Sequence, residues 1–328
     1  MTLAMRRGAF VLALLFLFSS LAVPVAVDAQ PSEKVYRIGI LERTSPANNA
    51  ANLDGFRRGL RELGYVEEKN FVIDYRSADG RDEKLPALAT ELVRLKVDLI
   101  VTRGTPGTLA AKNATGTIPV VTIGVGDPVA QGIVVSLARP GANVTGLSPL
   151  VTELYPKRVE LLRALVPRAV RIAALFNLSN PALPPQWKEV EVAARSLGMQ
   201  AQLLDVRNPE DLGPAFDAAV RQRADGLVVG LDTLTHANRR HIVDLAAKHR
   251  LPAIYASSEF VGGLAAYGVN YPDLYRHAAS FVDRIFKGAK PAELPMEQPT
   301  KFELVLNQTL PKRLAWRSHR RCCCKRTR

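Results

Sequence analysis

Short apolar runs alternate with longer amphipathic stretches along most of this chain, and the alternation occurs in two series. The apolar runs of the two series are 35–41, 71–75, 97–102 and 118–123, and then 170–176, 200–206, 224–229 and 252–256. In the stretches between them, apolar residues recur every three to four positions, which is typical of one face of a helix. Strands that alternate with helices predict parallel sheets covered on both faces. The pattern therefore predicts an α/β fold with two Rossmann-like lobes.

The helices between these strands are predicted at 53–63, 83–95, 106–113, 155–165, 186–197, 210–222 and 236–249. A last helix at 274–286 and a last strand at 301–307 are expected to pass back between the lobes. We therefore assign residues 30–149 and about 268–296 to the N-terminal lobe. Residues 150–267 and about 297–308 form the C-terminal lobe, and a hinge joins the two. A chain of this length can bury a core in each lobe.

Residues 1–29 have the features of a secretory signal peptide. Two arginines precede an almost wholly apolar run at 9–27, and the small residues of Val27-Asp28-Ala29 precede a predicted cut. A charged start, an apolar middle and a small-residue exit predict export, and hence a periplasmic protein. The alternative is a retained anchor helix, because about 20 apolar residues can span a bilayer. Pro24 and the cleavage triplet favour removal.

The net charge of +13 is concentrated at the C-terminus, where residues 311–328 contain eight lysines and arginines and no acidic residue. The rest of the chain has no clustered basic stretch, so no nucleic-acid partner is predicted. All three cysteines are consecutive, Cys322 to Cys324, and adjacent cysteines do not surround a metal ion well. We therefore predict neither a metal site nor a redox role.

The tail at 309–328 has two interpretations. It is either a genuine basic tail without a fold, or the product of a frame change at about residue 308. In a shifted frame, the codons for Arg317 to Cys324 can encode Ala-Ile-Pro-Pro-Ser-Leu-Leu-Leu, an apolar phrase unlike the written sequence. Resequencing of the gene and an intact-mass measurement would distinguish the two.

The candidate ligand site lies in the loops that follow the predicted strands, since ligands of open parallel sheets bind beyond the carboxyl ends of the strands. These loops are rich in small polar residues, and the helices that begin there offer free backbone N–H groups to an anion. Many such residues only cap helices. The candidate ligand-binding residues are Thr44, Ser45, Gly104, Thr105, Gly126, Asp127, Asn177, Asn180, Asp232, Ser257, Glu259 and Tyr267.

No pattern in the chain predicts catalysis or a bound cofactor. Gly124-Val-Gly126 lacks the third glycine of a dinucleotide fingerprint. His236 and His241 are five positions apart and so do not share a helical face. The chain has no G-x-S-x-G elbow and no recognisable Ser-His-Asp set. The sequence therefore favours a binding protein over an enzyme.

The stretch from Gly124-Val-Gly-Asp-Pro to Asn-Val-Thr-Gly-Leu-Ser148 resembles the signature of an ABC-type substrate-binding family that includes tryptophan- and phenylalanine-binding members. Residues 56–65, 102–106 and 301–307 resemble the same family. The resemblance extends from about Tyr36 to Asn307 and implies the type I periplasmic-binding-protein fold, with three crossings at its hinge. Family members end in a segment like the Ile-Pro-Pro-Ser-Leu-Leu-Leu phrase of the alternative frame.

The resemblance implies a periplasmic protein that delivers a small polar ligand, an amino acid or a related carboxylate, to an ABC permease and ATPase. We expect a monomer that contacts the membrane complex only peripherally. Two other functions stay open: a receptor subunit that senses the ligand for a membrane partner, and an enzyme on the same fold.

The chemistry of the loops suggests roles for six of the candidate residues. Thr105, Asn177 and Asn180 are expected to hold polar groups of the ligand. Asp127 or Asp232 is expected to pair with an ammonium group, and Tyr267 to provide an apolar wall.

Overall fold

The computed structural model describes residues 34–149, 151–260, 262–299 and 301–307. The predicted signal peptide and the tail, with its predicted frame change, lie outside these residues. The described residues from Val35 to Asn307 belong to one compact unit. None of the helices in the described residues is both long and apolar enough to cross a membrane.

The first sheet has five strands, all of them parallel. They are β1 (Tyr36–Glu42), β2 (Phe71–Ser77), β3 (Leu99–Arg103), β4 (Val120–Ile123) and β5 (Val144–Leu147), in the spatial order β2-β1-β3-β4-β5. Strands β3, β4 and β5 are buried along their whole length, and the apolar sequences of β3 and β4 predict this. Strand β5 was not predicted. It contains Gly146, at φ +133°, where a Cβ would overlap the backbone of Thr122.

Three helices follow strands of this sheet: α1 (Ala50–Glu62), α2 (Leu85–Arg94) and α3 (Gly104–Ala114). Helix α3 begins one residue before Thr105, which therefore lies in its first turn instead of capping it. Gly104 has φ +73°, a conformation that side chains rarely adopt, and it turns the chain directly from β3 into α3.

The second sheet has six strands, β6 (Arg171–Phe176), β7 (Gln200–Asp205), β8 (Gly226–Val229), β9 (Ala253–Tyr255), β10 (Ala265–Gly268) and β11 (Glu303–Leu306). Their order is β11-β10-β9-β8-β6-β7, and only β11 pairs antiparallel among these described strands. The expectation of parallel sheets is therefore met except at this edge. Strand β10, like β5, is short and contains glycine, and it was not predicted.

Five helices belong to the second sheet: α4 (Leu154–Leu165), α5 (Leu183–Ser196), α6 (Leu212–Arg221), α7 (Thr233–Ala237) and α8 (Arg239–Lys248). The single helix predicted at 236–249 is thus two. The carboxylate of Asp232 accepts a hydrogen bond from the backbone of Thr235, and this cap starts α7 before the predicted position. The break falls at Asn238, whose side chain donates to the carbonyl of Leu234.

Helix α9 (Tyr271–Phe286) returns to the first sheet, where Leu274, Phe281 and Val282 join the core formed with β1, β3 and α1. It packs so closely on α1 that a Cβ at Gly59 would overlap the carbonyl oxygen of Arg276. Beyond α9, the backbone of Glu297 pairs with Gly146 and Ser148. The chain therefore crosses between the sheets three times: after β5, before α9 and before β11. We call the elements around each sheet the first and the second lobe.

Candidate ligand-binding site

A cavity lies between the two lobes, at the edge where the parallel strands of both sheets end. The first lobe contributes residues 103–106, Gly124, Gly126 and Tyr271. The second lobe contributes residues from α4, from the start of α5, and from the loops after β8 and β9. Ligands of open α/β sheets bind at this edge, so the cavity is the candidate site.

Hydrogen bonds join the lobes across this edge. Nη2 of Arg103 lies 3.1 Å from Oε2 of Glu259, and Asn52 donates to the same carboxylate at 2.9 Å. Nη1 of Arg43 donates to Thr233 at 3.0 Å. At Gly126 the approach is so close that a Cβ would lie 2.9 Å from that of Ala182. These contacts describe a closed arrangement of the lobes.

A cluster of buried ionisable groups surrounds the Arg103–Glu259 pair. Burial raises the pKa of the Glu42 carboxyl from 4.5 to about 7, and this carboxyl accepts a hydrogen bond from the hydroxyl of Tyr275. Burial and the charge of Arg103 lower the pKa of His236 from 6.5 to about 4. Burial alone would raise the pKa of Glu259, but Arg103 and His236 hold it well below its usual value. The cluster therefore contains one charged pair, which is formed by Arg103 and Glu259.

Arg158 stands out among the residues that line the cavity, because it is a buried cation without a counter-charge in the described part of the chain. It is 1% exposed, its Nε donates to the carbonyl of Tyr267 at 2.8 Å, and its guanidinium stacks 4.3 Å from the ring of Tyr155. Its Nη1 has no hydrogen-bond partner, and no carboxylate of the described residues lies within 4.0 Å. An uncompensated buried charge is costly, so this geometry is suited to an anionic ligand.

Gln186 supplies a free acceptor in the same cavity. The residue is 2% exposed, and its Oε1 has no hydrogen-bond partner in the described part of the chain. The apolar part of the lining comes from Leu183, Leu231 and the rings of Tyr155 and Tyr271. The cavity thus combines a cationic donor, a neutral acceptor and a partly aromatic wall.

Five of the candidate residues predicted from the sequence line this cavity: Gly104, Thr105, Gly126, Asn180 and Asp232. The hydroxyl of Thr105 accepts a hydrogen bond from the backbone of Gly126, which joins two loops of the first lobe. The side chain of Asp232 is fully buried. Its carboxylate accepts hydrogen bonds from Asn177 at 2.7 Å and from the backbone of Thr235 at 2.8 Å.

The structure places the other candidates outside the lining. Asp127 is exposed and accepts a hydrogen bond from the backbone of Ala130, so it caps a turn of its own loop. Tyr267 packs beside Phe302 on the second sheet, and only its carbonyl reaches Arg158. Asn177 does not line the cavity, and its side chain donates a hydrogen bond to Asp232.

Four further candidates lie near the first strand or around the inter-lobe ion pair. The carbonyl of Thr44 accepts from the hydroxyl of Tyr75, and the hydroxyl of Ser45 accepts from the backbone of Asn48. Ser257 donates to Glu259, whose carboxylate joins the lobes. Glu259 also borders a second inter-lobe space, together with Asn52 and Arg239. Of these four residues, Glu259 connects the lobes, and none of the four lines the cavity.

Sequence reasoning missed Tyr155, Arg158, Gln186 and Tyr271, because they lie on helices, whereas the sequence predicts the site in the loops after the strands. A signal for Arg158 was present in α4. Tyr155, Arg158, Val159 and Leu162 follow the spacing of one helical face, and all four are buried. A charged residue on an otherwise apolar helical face indicates a buried charge with a functional role.

Among the described residues, no group of three or more His, Cys, Asp and Glu side chains is arranged to hold a metal ion.

A protein-family model described as "ABC transporter substrate binding protein" matches residues 37–318. The chain belongs to this family. The match agrees with the resemblance seen in the sequence, and the two lobes of parallel strands agree with the predicted type I periplasmic-binding-protein fold. The matched stretch includes residues 308–318, so it covers the start of the basic tail.

Three relatives illustrate the similarity. A "Tyrosine-binding protein" of Clostridioides difficile (strain R20291) is 27% identical over 285 residues, which cover 86% of this chain and 82% of the relative. The ABC domain from Streptococcus pneumonia in complex with L-Trp is 26% identical, with a TM-score of 0.77 over 86% of this chain and 96% of that one. A ligand-free, open substrate binding protein with adhesive properties from Clostridium difficile is 27% identical, with a TM-score of 0.63 over 87% of this chain and 97% of that one.

The structure of this protein is more similar overall to the L-Trp complex than to the open structure. The identity to the two is nearly equal, yet the TM-score is higher for the complex, 0.77 against 0.63. This difference agrees with the hydrogen bonds that join the lobes across the cavity.

Proposed function

We propose that this member of the ABC transporter substrate-binding family is exported to the periplasm, binds an amino acid or a related carboxylate, and delivers it to an ABC importer. The signal-like residues 1–29 support export. The tyrosine and L-Trp in the names of the relatives support a small ligand that carries a carboxylate. The protein acts as a monomer that contacts the permease and the ATPase complex only at the membrane surface.

The observation that carries this proposal is the unpaired guanidinium of Arg158 in a cavity lined by both lobes. A carboxylate placed against Nη1 would give the Arg158 guanidinium a counter-charge and a hydrogen-bond acceptor that the described residues do not provide. Charge-assisted hydrogen bonds of this kind are short and strong. A neutral ligand would leave the buried charge without compensation.

Ligand binding would stabilise the closed arrangement, because the cavity wall is complete only when the lobes meet. A ligand can shift the equilibrium only by its differential affinity for the two states. Arg158 and Gln186 belong to the second lobe, while Arg103, Thr105 and Tyr271 belong to the first. A solute that contacts both sets would therefore favour closure, and the importer would recognise the closed form.

Binding is favoured over catalysis by the chemistry of the lining. Among the described residues that line the cavity there is no histidine, lysine, cysteine or serine. Histidine, lysine, cysteine and serine are common general bases and nucleophiles. Asp232, the acidic residue of the described lining, already accepts hydrogen bonds from Asn177 and Thr235. The cavity offers fixed donors, an acceptor and apolar walls, which recognise a solute without transforming it.

The proposal is tested by a thermal-shift screen of the mature protein against amino acids and carboxylates, followed by calorimetry of every hit. A ligand that binds only the folded state raises Tm, by an amount set by RT ln(1 + [L]/Kd). We expect hits among compounds with a carboxylate and none among their neutral amides. Binding of neutral sugars with no binding of any carboxylate would contradict the proposal.

A further inference from the structure

His236 belongs to the second lobe but faces a cation of the first lobe. Its side chain is 2% exposed, and Nε2 of the imidazole lies 2.9 Å from Oε1 of Glu259 in the same lobe. The same Nε2 lies 3.5 Å from Nη1 of Arg103. Arg103 ends β3 of the first lobe, and its Nη2 is 3.1 Å from Oε2 of Glu259. The closed arrangement therefore places a guanidinium of one lobe beside an imidazole of the other.

Glu259 is the acid that these two groups share. One oxygen of its carboxylate is next to Arg103 and the other is next to His236, so one negative charge serves two groups that can be cations. A guanidinium keeps its charge at every physiological pH, whereas an imidazole can release its proton near neutrality. A neutral imidazole with its proton on Nε2 can still donate to Glu259. Closure therefore disfavours the second proton of His236 without costing it this hydrogen bond.

The other charged groups around His236 do not reverse this effect. Nη1 of Arg239, in α8, donates to the backbone carbonyl of His236 at 3.0 Å, and its charge also disfavours a charged imidazole. Glu42 lies beside Arg103 and is largely protonated below neutral pH, because burial raises its pKa to about 7. Asp232 directs its carboxylate to the backbone at the start of α7. Burial and the charge of Arg103 thus lower the pKa of His236 to about 4, against the opposite effect of Glu259.

Separation of the lobes would remove this constraint. His236 and Glu259 would stay together in the second lobe. Arg103 stacks 3.7 Å from the centre of the Tyr271 ring in the first lobe, so it would move away with that lobe. Water would then reach the imidazole, and the carboxylate of Glu259 would favour its charged form. We therefore expect the pKa of His236 in an open arrangement to be at least the ordinary histidine value of about 6.5.

We propose that closure of the lobes on a ligand expels a proton from His236, so that acid favours the open arrangement and weakens ligand binding. The proposal rests on the proposed function, because it needs lobes that close on a solute. The contribution of His236 to affinity is complete above about pH 6.5 and decreases as the pH falls towards 4, where the closed form also takes up the proton. Ligand binding is thereby regulated by the pH around the protein.

The proposal is tested by calorimetry of the mature wild type and of His236→Gln with L-tryptophan and L-tyrosine. Glutamine can donate to Glu259 as the neutral imidazole does, but it cannot become a cation. Between pH 7.5 and pH 5.5, the affinity of the wild type should fall about tenfold relative to that of the variant. In buffers of different ionisation enthalpy at pH 5.5, the wild type should release about one proton more per bound ligand than the variant.

The comparison is made with a variant because other buried carboxyls titrate in the same range. Burial raises the pKa of Glu42 to about 7 and that of Asp82 to about 6, and both carboxyls are present in the wild type and in His236→Gln. His241→Gln is the matched control, since His241 is exposed on α8 of the same lobe, and it should follow the wild type at both pH values. An equal pH dependence of affinity in the wild type and His236→Gln would overturn the proposal.

A second measurement needs no ligand and retains His236, so it decides the matter even if His236→Gln fails to fold. A Cβ at Gly126 would lie 2.9 Å from that of Ala182 in the opposite lobe, and a disulfide holds two Cβ atoms about 3.8 Å apart. Gly126→Cys with Ala182→Cys, in a chain whose Cys322 to Cys324 are replaced by serine, should therefore lock the lobes together when oxidised. Proton NMR of the histidine rings should show one imidazole that titrates between pH 5 and pH 8 in the reduced form only.

The outcomes separate this proposal from the proposed function. If all imidazoles titrate alike in the reduced and oxidised forms, closure does not deprotonate His236, and a solute-binding function supported by calorimetry stands. If neither amino acid binds and the thermal-shift screen finds no carboxylate, the proposed function fails. The reduced and oxidised forms would still decide whether closure changes the charge of His236.

Discussion

Glu42 ends β1 with its carboxyl buried beside Arg103 and hydrogen-bonded to the hydroxyl of Tyr275. Its pKa of about 7 means that the carboxyl is largely protonated below neutral pH in the folded protein. His236, with a pKa of about 4, is largely neutral between pH 4 and pH 7. With both groups uncharged, Arg103 and Glu259 are the matched pair of this cluster.

The Glu42→Gln variant should change how stability depends on pH. The carboxyl releases its proton near pH 4.5 when unfolded and near pH 7 when folded. Its stabilising contribution is therefore complete below pH 4.5, decreases as pH rises, and is lost above pH 7. Through this carboxyl, the free energy of unfolding of the wild type should fall by on the order of 2–3 kcal/mol between pH 5 and pH 8. Glutamine does not titrate, so the variant should not show this fall. Urea unfolding at intervals of one pH unit measures this slope.

A second carboxyl controls for the general effect of removing a charge. Glu153→Gln removes an exposed carboxylate at the start of α4, and it should retain the slope of the wild type. His236 contributes the opposite slope, because its neutral folded form loses stability as pH falls from 6.5 towards 4. Equal slopes for Glu42→Gln and the wild type between pH 5 and pH 7 would show that Glu42 is already ionised in the fold.

At the scale of elements, the contact between α1 and α9 depends on residues without side chains. Gly55 and Gly59 are one turn apart on α1, and a Cβ at either would overlap the carbonyl oxygens of Pro272 and Arg276 respectively. Glycine thus allows the two helices to touch backbone to backbone. Because α9 lies far from α1 in the sequence, this contact fixes a late segment of the chain onto the first lobe.

Gly59→Ala should therefore destabilise the protein although alanine is the better helix former. The methyl group would force α1 away from α9, and overpacking of this kind costs about 1–3 kcal/mol. Gly213→Ala in α6 is the matched control, since no atom lies within 4 Å of the new Cβ. There the change should be neutral or stabilise by up to about 1 kcal/mol. Guanidinium unfolding of both variants measures the difference, and equal stability of the two would rule out the close helix contact.

Periodicity predicted most of these elements, because burial of one face leaves a direct mark on the sequence. It did not reveal β5 and β10, since they lack the run of three consecutive large apolar residues that marks the equally short strand β8. The orientation of β11 depends on how the chain returns from the first lobe, and no local sequence pattern predicts that direction. The cavity was located only in part for a related reason: Tyr155, Arg158 and Gln186 follow helical spacing and look like residues of the core.

At the scale of the whole molecule, the two lobes meet through a small number of polar contacts. Besides Arg103–Glu259, these include Nη2 of Arg239 to the carbonyl of Asn48 at 2.7 Å, and Gln131 to the carbonyl of Pro181 at 3.1 Å. Each hydrogen bond contributes only about 1 kcal/mol net. When the lobes open, these groups form hydrogen bonds with water, and these bonds replace most of that energy. A bound ligand can therefore decide the equilibrium between the open and closed arrangements.

Glu259→Gln tests whether the ion pair between the lobes supports closure. In the closed state the variant leaves the buried guanidinium of Arg103 without its partner, whereas in an open state water can solvate it. We expect ligand affinity to fall about ten- to a hundredfold in calorimetry. Glu91→Gln is the control, because it breaks an exposed pair with Arg76 inside the first lobe and should leave affinity unchanged. Unchanged affinity in Glu259→Gln would mean that the ion pair does not contribute to closure.

A wedge at Gly126 tests closure directly, independently of charge. A Cβ at Gly126 would lie 2.9 Å from that of Ala182 in the opposite lobe, and the backbone at Gly126 does not have the positive φ that excludes side chains. Leucine at this position should therefore hold the lobes apart without strain inside either one. Small-angle scattering should show the radius of gyration falling when ligand is added to the wild type but not to Gly126→Leu. Gly116→Leu, at a site with no atom within 4 Å, should behave as the wild type does. If Gly126→Leu contracts on ligand addition as far as the wild type, the lobes do not close at this contact.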